Sequence, residues 1–481
     1  MKKKLFAAIL AVATLAGLES KAQDSLFTYT HQGVTLYYLL DTTGEAMLVP
    51  PMYPDMHDDG VRIETWWGYS KPQGPVVVPD SVPQGGSNHP VTTLAPEAFK
   101  YCDSITAITL PATLRVIGQQ SFHGCAGLTS IVIPEGVTEL GIAGFYECTG
   151  LQSVSLPTGI TSIPISCFYG DTSLTSIDIP ASVETIDLGA FEECTGLTSA
   201  TLHQGLVTLG EYAFFMCMGL ETMTLPEGLR TIGDACFFSC ENLRHIDLPS
   251  TLDSVGAHAF QSDLLLDTLL FPDQLRHIGA IAMNNCPSLK YVHLPEQLEA
   301  INAWLLWGTD IESLVIPPHV TLIDTLALGN CLRLHNLTLP ASVTHLGDSL
   351  FLDGTDLDTL TIESAVPPTL GDTVFPHYRT TLIVPCGSAN TYRQHPAWGR
   401  FPNIEENCNS IPGSADISET EDILVRTVGS RIIVEVTEGE SVRIFDMMGR
   451  LVSTADETSA LPGVYLVKVG DRPTKKVVVV I

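Results

Sequence analysis

Cys125-Ala-Gly-Leu128-Thr-Ser-Ile131-Val-Ile133-Pro134 is followed, 23 residues on, by Cys148-Thr-Gly-Leu151-Gln-Ser-Val154-Ser-Leu156-Pro157. The offset persists from about Asn88 to Ile362. Prolines fall at Pro111, Pro134, Pro157, Pro180, Pro226, Pro249, Pro272 and Pro295, with His203 in the one empty slot. Pro317 and Pro340 follow after a one-residue deletion. Phenylalanine keeps the same beat at Phe99, Phe122, Phe145, Phe168, Phe191, Phe214, Phe237 and Phe260, and again at Phe351. Each unit turns Leu128, Ile131, Ile133, Ile117 and Phe122, or their equivalents, inward. Burying five such side chains contributes roughly 10 kcal/mol. Ordering the backbone costs about 1–2 kcal/mol for every residue. A single unit therefore cannot stand alone, and the units must stack.

The punctuation of each unit has a physical reading. The proline ends a short strand where no ladder donor is needed. Gly118, Gly141, Gly210, Gly233, Gly256 and Gly279 read as a recurrent tight turn. A small residue before each Phe, such as Ala98, Ser121 or Gly144, lets the chain run close to the unit below. A fixed period of about 20–29 residues carrying L-x-x-L-x-L marks a leucine-rich-repeat solenoid. The expected fold is mainly β: a leucine-rich-repeat solenoid of 23-residue rungs, capped at both ends and followed by a small C-terminal β-sandwich.

Working outward, residues 1–22 read as a signal peptide, with Lys2-Lys3-Lys4 ahead of an apolar core and Ser20-Lys21-Ala22 at the cleavage site. Residues 23–87 break the period, show short strand-like runs and form an N-terminal β cap. Their aromatic cluster Trp66-Trp67-Gly-Tyr69 reads first as cap packing and second as a sugar- or peptide-stacking patch. The solenoid spans 88–385, with Trp304-Leu-Leu-Trp307 replacing one Ala-Phe turn. Residues 386–408 form a C-terminal cap. A polar linker, 409–421, leads to period-2 strands over 422–481, the β-sandwich. No stretch is long and apolar enough to span a bilayer.

Acidic residues outnumber basic ones by 54 to 24, a net charge of −30. That excess argues against nucleic acid or an anionic membrane surface as the main partner. Of the twelve cysteines, eight sit on the ladder, in a slot that other rungs fill near Asp171, Asp263, Thr309 and Gly354. A slot shared by such different residues reads as a packing or backbone-bonding position, and its thiols as reduced. Cys386 and Cys408, at the end of the array, are the better disulfide pair. No zinc, nucleophile-elbow or phosphate-loop motif is present. His123 lies two residues before Cys125, but both are repeat positions. No enzyme activity, metal or cofactor is expected.

These rungs, with their Ile-x-Ile-Pro, Ile-Gly, Ala-Phe and Cys framework, resemble the BspA-like leucine-rich repeats of bacterial surface proteins. The tail resembles the type A C-terminal sorting domain of type IX secretion cargo. It does so in Val442-Arg-Ile-Phe-Asp-Met-Met-Gly-Arg450-Leu-Val, Pro462-Gly-Val-Tyr-Leu-Val-Lys-Val and Lys475-Lys-Val-Val-Val. The resemblance implies a secreted protein at the cell surface or outer-membrane exterior, handled by a secretion and sorting machinery. It also implies an adhesin that recognises a host or bacterial surface protein or glycan. A non-catalytic structural or scaffolding protein of the cell envelope is the alternative. The outward residues of the parallel strands, stacked into one continuous sheet, are the expected ligand face: Asp178, Thr201, Thr224, Asp247 and His293 are its candidate binding residues.

Overall fold

A computed structural model of the protein describes residues 26–52, 65–66, 68–352, 355 and 357–408, and beyond them seven strands between Leu424 and Val479. The expected signal peptide, Trp67, Gly354, the linker 409–421 and the Gly449-Arg450 and Pro462 elements lie outside the described residues. The chain divides into two compact units, Met1–Ser410 and Ile411–Ile481.

The first unit is a β-solenoid. The central rungs each contribute a three-residue strand, a two-residue strand and a turn built around the Phe slot. Ser153–Ser155 pairs in parallel with Ser130–Val132, in the register Ser153↔Ser130, and Thr185–Ile186 pairs with Ser162–Ile163 as Thr185↔Ser162. The pairing register thus repeats the sequence period. One hydrophobic core runs the length of the unit, from Leu36 to Ile404. Leu128, Ile131, Ile133, Ile117 and Phe122 are all buried in it. The aromatic ladder is continuous: adjacent rings from Phe99 to Phe260 stack with centroids 5.1–5.7 Å apart. Met283, Leu306 and Leu328 then occupy the same buried slot before Phe351.

The turn face has a conformation that composition alone does not suggest. Two residues per rung, four apart, hold positive φ, and most are not glycine: Ala143 and Glu147, Tyr212 and Met216, Ala235 and Ser239. Even Ile281 sits at φ 65°. A left-handed L-residue costs about 1–2 kcal/mol. The alternation turns successive N–H groups toward the next rung, so that Phe122 N–H donates to Gly144 O and Phe145 N–H to Cys167 O, both at 2.8 Å. These inter-rung bonds offset the strain. The recurrent glycines, by contrast, do not serve a left-handed turn. Gly118 and its equivalents lack positive φ. A Cβ on Gly118 would stand 2.7 Å from Leu94 O and Ala95 C of the rung below. These glycines mark the close approach of two backbones.

At the N-terminal end, β1 (Phe27–His31), β2 (Val34–Leu40) and β3 (Ala46–Val49) form an antiparallel meander. Following them are β4 (Gly74–Val77), β5 (Ser81–Gln84), β6 (Ser87–Leu94), β7 (Ile105–Thr109) and β8 (Val116–Ile117). β3 pairs in parallel with β6, β6 with β8, and β4 with β7. The irregular segment is thereby hydrogen-bonded onto the first rungs. Trp66 is buried and donates its indole N–H to Ala98 O, which makes it cap packing; Tyr69 is exposed.

At the other end, the strand Thr381–Pro385 pairs in parallel with Ile404–Asn407. Between them lie helix α1 (Ala389–Gln394) and a single 3-10 turn, Trp398–Arg400. Trp398 is buried and donates to Pro368 O at 2.8 Å, and Tyr392 OH donates to Ser364 O at 2.7 Å. Cys386 and Cys408 form a disulfide. The second unit contains two antiparallel sheets, of three and four strands.

Candidate functional site

The three-residue strands put one side chain inward and two outward, because strand side chains alternate. Asp178, Thr201, Thr224 and Asp247 are exposed, and His293 is half-buried. The register sets Asp178 beside Thr201, and Thr224 beside Asp247, on adjacent rungs. His293 lies beside Leu270.

The five residues do not form one continuous sheet. Their strands pair two by two: 130–132 with 153–155, 176–178 with 199–201, 222–224 with 245–247, and 268–270 with 291–293. The hydrogen bonds that lead into the strands alternate in the same way. Thr198 N–H reaches Thr175 O at 2.9 Å and Arg244 N–H reaches Glu221 O at 2.9 Å. Thr175 N–H to Gln152 O and Glu221 N–H to Thr198 O stretch to 3.4 and 3.3 Å. The long uninterrupted ladder is on the short-strand face, six strands from Ser162–Ile163 to His277–Ile278. The expectation of one sheet is corrected accordingly: from Ser130 to His293 the face is a row of two-strand patches, and a four-strand ladder forms from Asn336–Leu339 to Ile404–Asn407.

Three of the four patches carry a carboxylate held by an imidazole. Asp178 Oδ1 lies 2.8 Å from His203 Nε2, Asp247 Oδ1 2.8 Å from His245 Nε2, and Asp273 Oδ1 2.7 Å from His293 Nε2. Thr224 Oγ1 donates to Asp247 Oδ2 at 3.3 Å. Such pairs fix the direction of groups that would otherwise sweep through solvent. Being exposed, they add little to stability. The pairs His203–Asp178 and His293–Asp273 join residues 25 and 20 apart on different rungs, whereas His245 and Asp247 stand two apart on one strand. One signal was visible: His203 fills the single vacant proline slot.

The ladder cysteines are a separate feature, inside the core. Cys125 Sγ donates to Phe99 O at 3.1 Å and Cys148 Sγ to Phe122 O at 3.0 Å. The arrangement recurs along the array, and burial pushes these thiols up. Asp171 and Asp263 fill the same slot and accept from the N–H of Cys148 and Cys240. Complete burial raises both carboxyls well above the usual carboxylate range. Near Gly354 the slot belongs to Thr355, which accepts from Cys331 N–H and donates to Leu328 O. His123 is stacked on Tyr146, centroids 4.7 Å apart. Burial and then Lys100 push its imidazole down to about 4. It makes no catalytic pair with Cys125, whose thiol is committed to Phe99 O. Among the described residues, Cys386, Glu406 and Cys408 are close enough to hold a metal, but the two sulfurs are joined to each other. No helix of the described residues is long and apolar enough to cross a membrane.

The chain resembles solved proteins over most of its length. A leucine-rich cell surface protein from Faecalibacterium prausnitzii is 19% identical, with 82% of this chain and 97% of that one covered, at a TM-score of 0.44. A leucine-rich repeat protein from Bacteroides ovatus is 18% identical over 80% and 98%, at 0.48. The pneumococcal vaccine antigen PcpA is 15% identical over 80% and 99%, at 0.40. No curated protein matches the chain. The family model "BspA type Leucine rich repeat region (6 copies)" matches residues 92–187, 161–282 and 253–380. Together these segments span more than half the sequence, and the chain belongs to the BspA-type leucine-rich-repeat family.

Proposed function

We propose that this chain is a secreted, surface-displayed binding protein of the adhesin type, whose strand face recognises a protein or glycan on a host or bacterial surface. The observation that carries the reading is the row of oriented, exposed polar groups on that face. Asp178 with His203, Asp247 with His245 and Thr224, and His293 with Asp273 repeat at successive patches. Pre-oriented donors and acceptors lose less freedom on binding than loose side chains do. Membership of a repeat family with no catalytic motif on view supports binding over turnover. The resemblance of the tail to a type IX sorting domain supports export, with the second unit as the sorting signal.

The test is binding of the full-length protein to fixed host and bacterial cells, wild type against Asp178→Ala/Asp247→Ala. Saturable binding weakened by about tenfold or more in the double variant, the size of a hot-spot loss, is the expected result. Saturable binding that the variant leaves intact moves the site off this face. Absence of saturable binding to any cell favours a structural role in the envelope.

A further inference from the structure

The residue after each core Phe is only part-buried on the turn face. From the second rung on, this column runs His123, Tyr146, Tyr169, Glu192, Phe215 and Phe238. One step in it sets phenol on phenol: Tyr146 and Tyr169 stack with centroids 4.5 Å apart and planes 6° apart. Tyr37 and Tyr69, by contrast, meet edge to face at 5.7 Å and 84°.

The scaffold imposes the stack. Phe145 N–H donates to Cys167 O at 2.8 Å and Glu147 N–H to Tyr169 O at 2.7 Å, on either side of Tyr146. Beneath the pair, Phe145 stacks on Phe168 at 5.3 Å. The two phenols are therefore held together, and small side-chain rotations bring their ortho carbons into contact. An electron removed from one ring leaves a positive charge against the face of the other, which favours it.

The phenol protons have a way out. Tyr146 is hydrogen-bonded to Tyr169, and Tyr169 donates to Glu193. Burial pushes the Tyr146 phenol up to about 12 and raises that of Tyr169 as well. At neutral pH the pair is thus un-ionised, and each ring loses its proton only along with an electron.

We propose that Tyr146 and Tyr169 form an oxidative cross-linking site, at which a peroxide, acting through a diffusible one-electron carrier, joins two neighbouring rungs by a dityrosine bond. Each phenol passes one electron to the carrier and releases its O–H proton, that of Tyr169 to Glu193 and that of Tyr146 to solvent. The two phenoxyl radicals join carbon to carbon at the positions ortho to oxygen. Each joined carbon then passes its ring proton to its own oxygen, and both rings are aromatic again. The pair has lost two electrons and two protons in all. The peroxide takes them up as its O–O bond breaks, giving two waters from hydrogen peroxide or two hydrogensulfate ions from peroxydisulfate. The new bond closes a loop between residues 23 apart, which restricts the unfolded chain and favours the folded array.

The experiment illuminates the full-length protein, at high dilution, with tris(bipyridyl)ruthenium and peroxydisulfate. Dityrosine fluorescence is read on the monomer fraction, and the link is mapped by mass spectrometry after digestion with a Glu-specific protease. Cleavage after Glu139, Glu147 and Glu184 places Tyr146 and Tyr169 on separate peptides that hold no other tyrosine. Tyr146→Phe and Tyr169→Phe keep a ring in the stack, as Phe215 on Phe238 does at 4.9 Å in the same column. Tyr69→Phe removes a more exposed phenol. The expected result is a Tyr146–Tyr169 link in the wild type and in Tyr69→Phe, and its loss in each of the other two variants. The linked protein should also unfold at a higher temperature than Tyr169→Phe treated in the same way. A monomer link that maps to other tyrosines or survives in Tyr146→Phe, or no link in the wild type, would overturn the site. An unchanged unfolding temperature would overturn its action as a clamp between rungs.

Discussion

Replacing Phe191 by alanine is the most informative perturbation of the scaffold. The ring is fully buried at mid-array and stacks on Phe168 and on Phe214, each at 5.3 Å. Emptying a buried Phe slot costs about 3–5 kcal/mol in lost transfer energy and cavity. Two aromatic contacts of about 0.5–1.5 kcal/mol each disappear with it, which places Phe191→Ala at the upper end of that range. Phe191→Leu is the matched control. Leu306 and Leu328 occupy the same slot on other rungs, so leucine suits the geometry and should cost only about 1–2 kcal/mol. The assay is equilibrium urea unfolding followed by far-ultraviolet circular dichroism and by tyrosine and tryptophan fluorescence. Because each rung touches its neighbours alone, a mid-array lesion also weakens the coupling between the two halves. The two probes should therefore separate in Phe191→Ala and coincide in Phe191→Leu. A loss below about 1 kcal/mol for the alanine variant, with coincident transitions, would refute the claim that the aromatic ladder is the spine of the core.

Further outcomes follow from the slots around that spine. The folded state holds a proton on Asp171 that the unfolded chain releases above its ordinary value of 3.8. Stability must therefore fall as pH rises from there toward the raised folded value, by up to about 1.4 kcal/mol per pH unit. Asp171→Asn should remove its own share of that slope, leaving the share of Asp263, and be the more stable protein at neutral pH; urea midpoints across a pH series check this. Gly118→Ala should destabilise by about 1–3 kcal/mol through overpacking against Leu94 O and Ala95 C. A neutral result in thermal unfolding would mean that the rungs part easily at that corner.

The rung core was legible because it repeats: Leu128, Ile131, Ile133 and Phe122 recur often enough that one interpretation explains every rung. The cysteine slot was legible for the same reason, since Asp171, Asp263 and Thr309 share only the ability to bond backbone. Other features were not. A two-residue strand such as Val116–Ile117 is too short to show alternation. The left-handed Ala143, Glu147 and Ile281 run against local preference and persist because neighbouring rungs supply their hydrogen bonds. The glycines were seen but their reason was not: Gly118 is set by a backbone one rung away, and nothing local reveals it. The outward positions of the strands, rich in Thr, Ser and Asp, follow from simple alternation. Its break-up into pairs and the His203–Asp178 contact depend on spacing between rungs, which no linear pattern encodes.

We propose that the solenoid works outside the cell, on the ligand side of the envelope. The direct measurement treats intact expressing cells with protease and probes separate epitopes near Gln23 and near Ile481. The account predicts that the array is digested while the cells remain whole, and that the C-terminal epitope is already absent from the mature protein. An array protected on intact cells, with its tail retained, would contradict it and point to a scaffolding role beneath the surface.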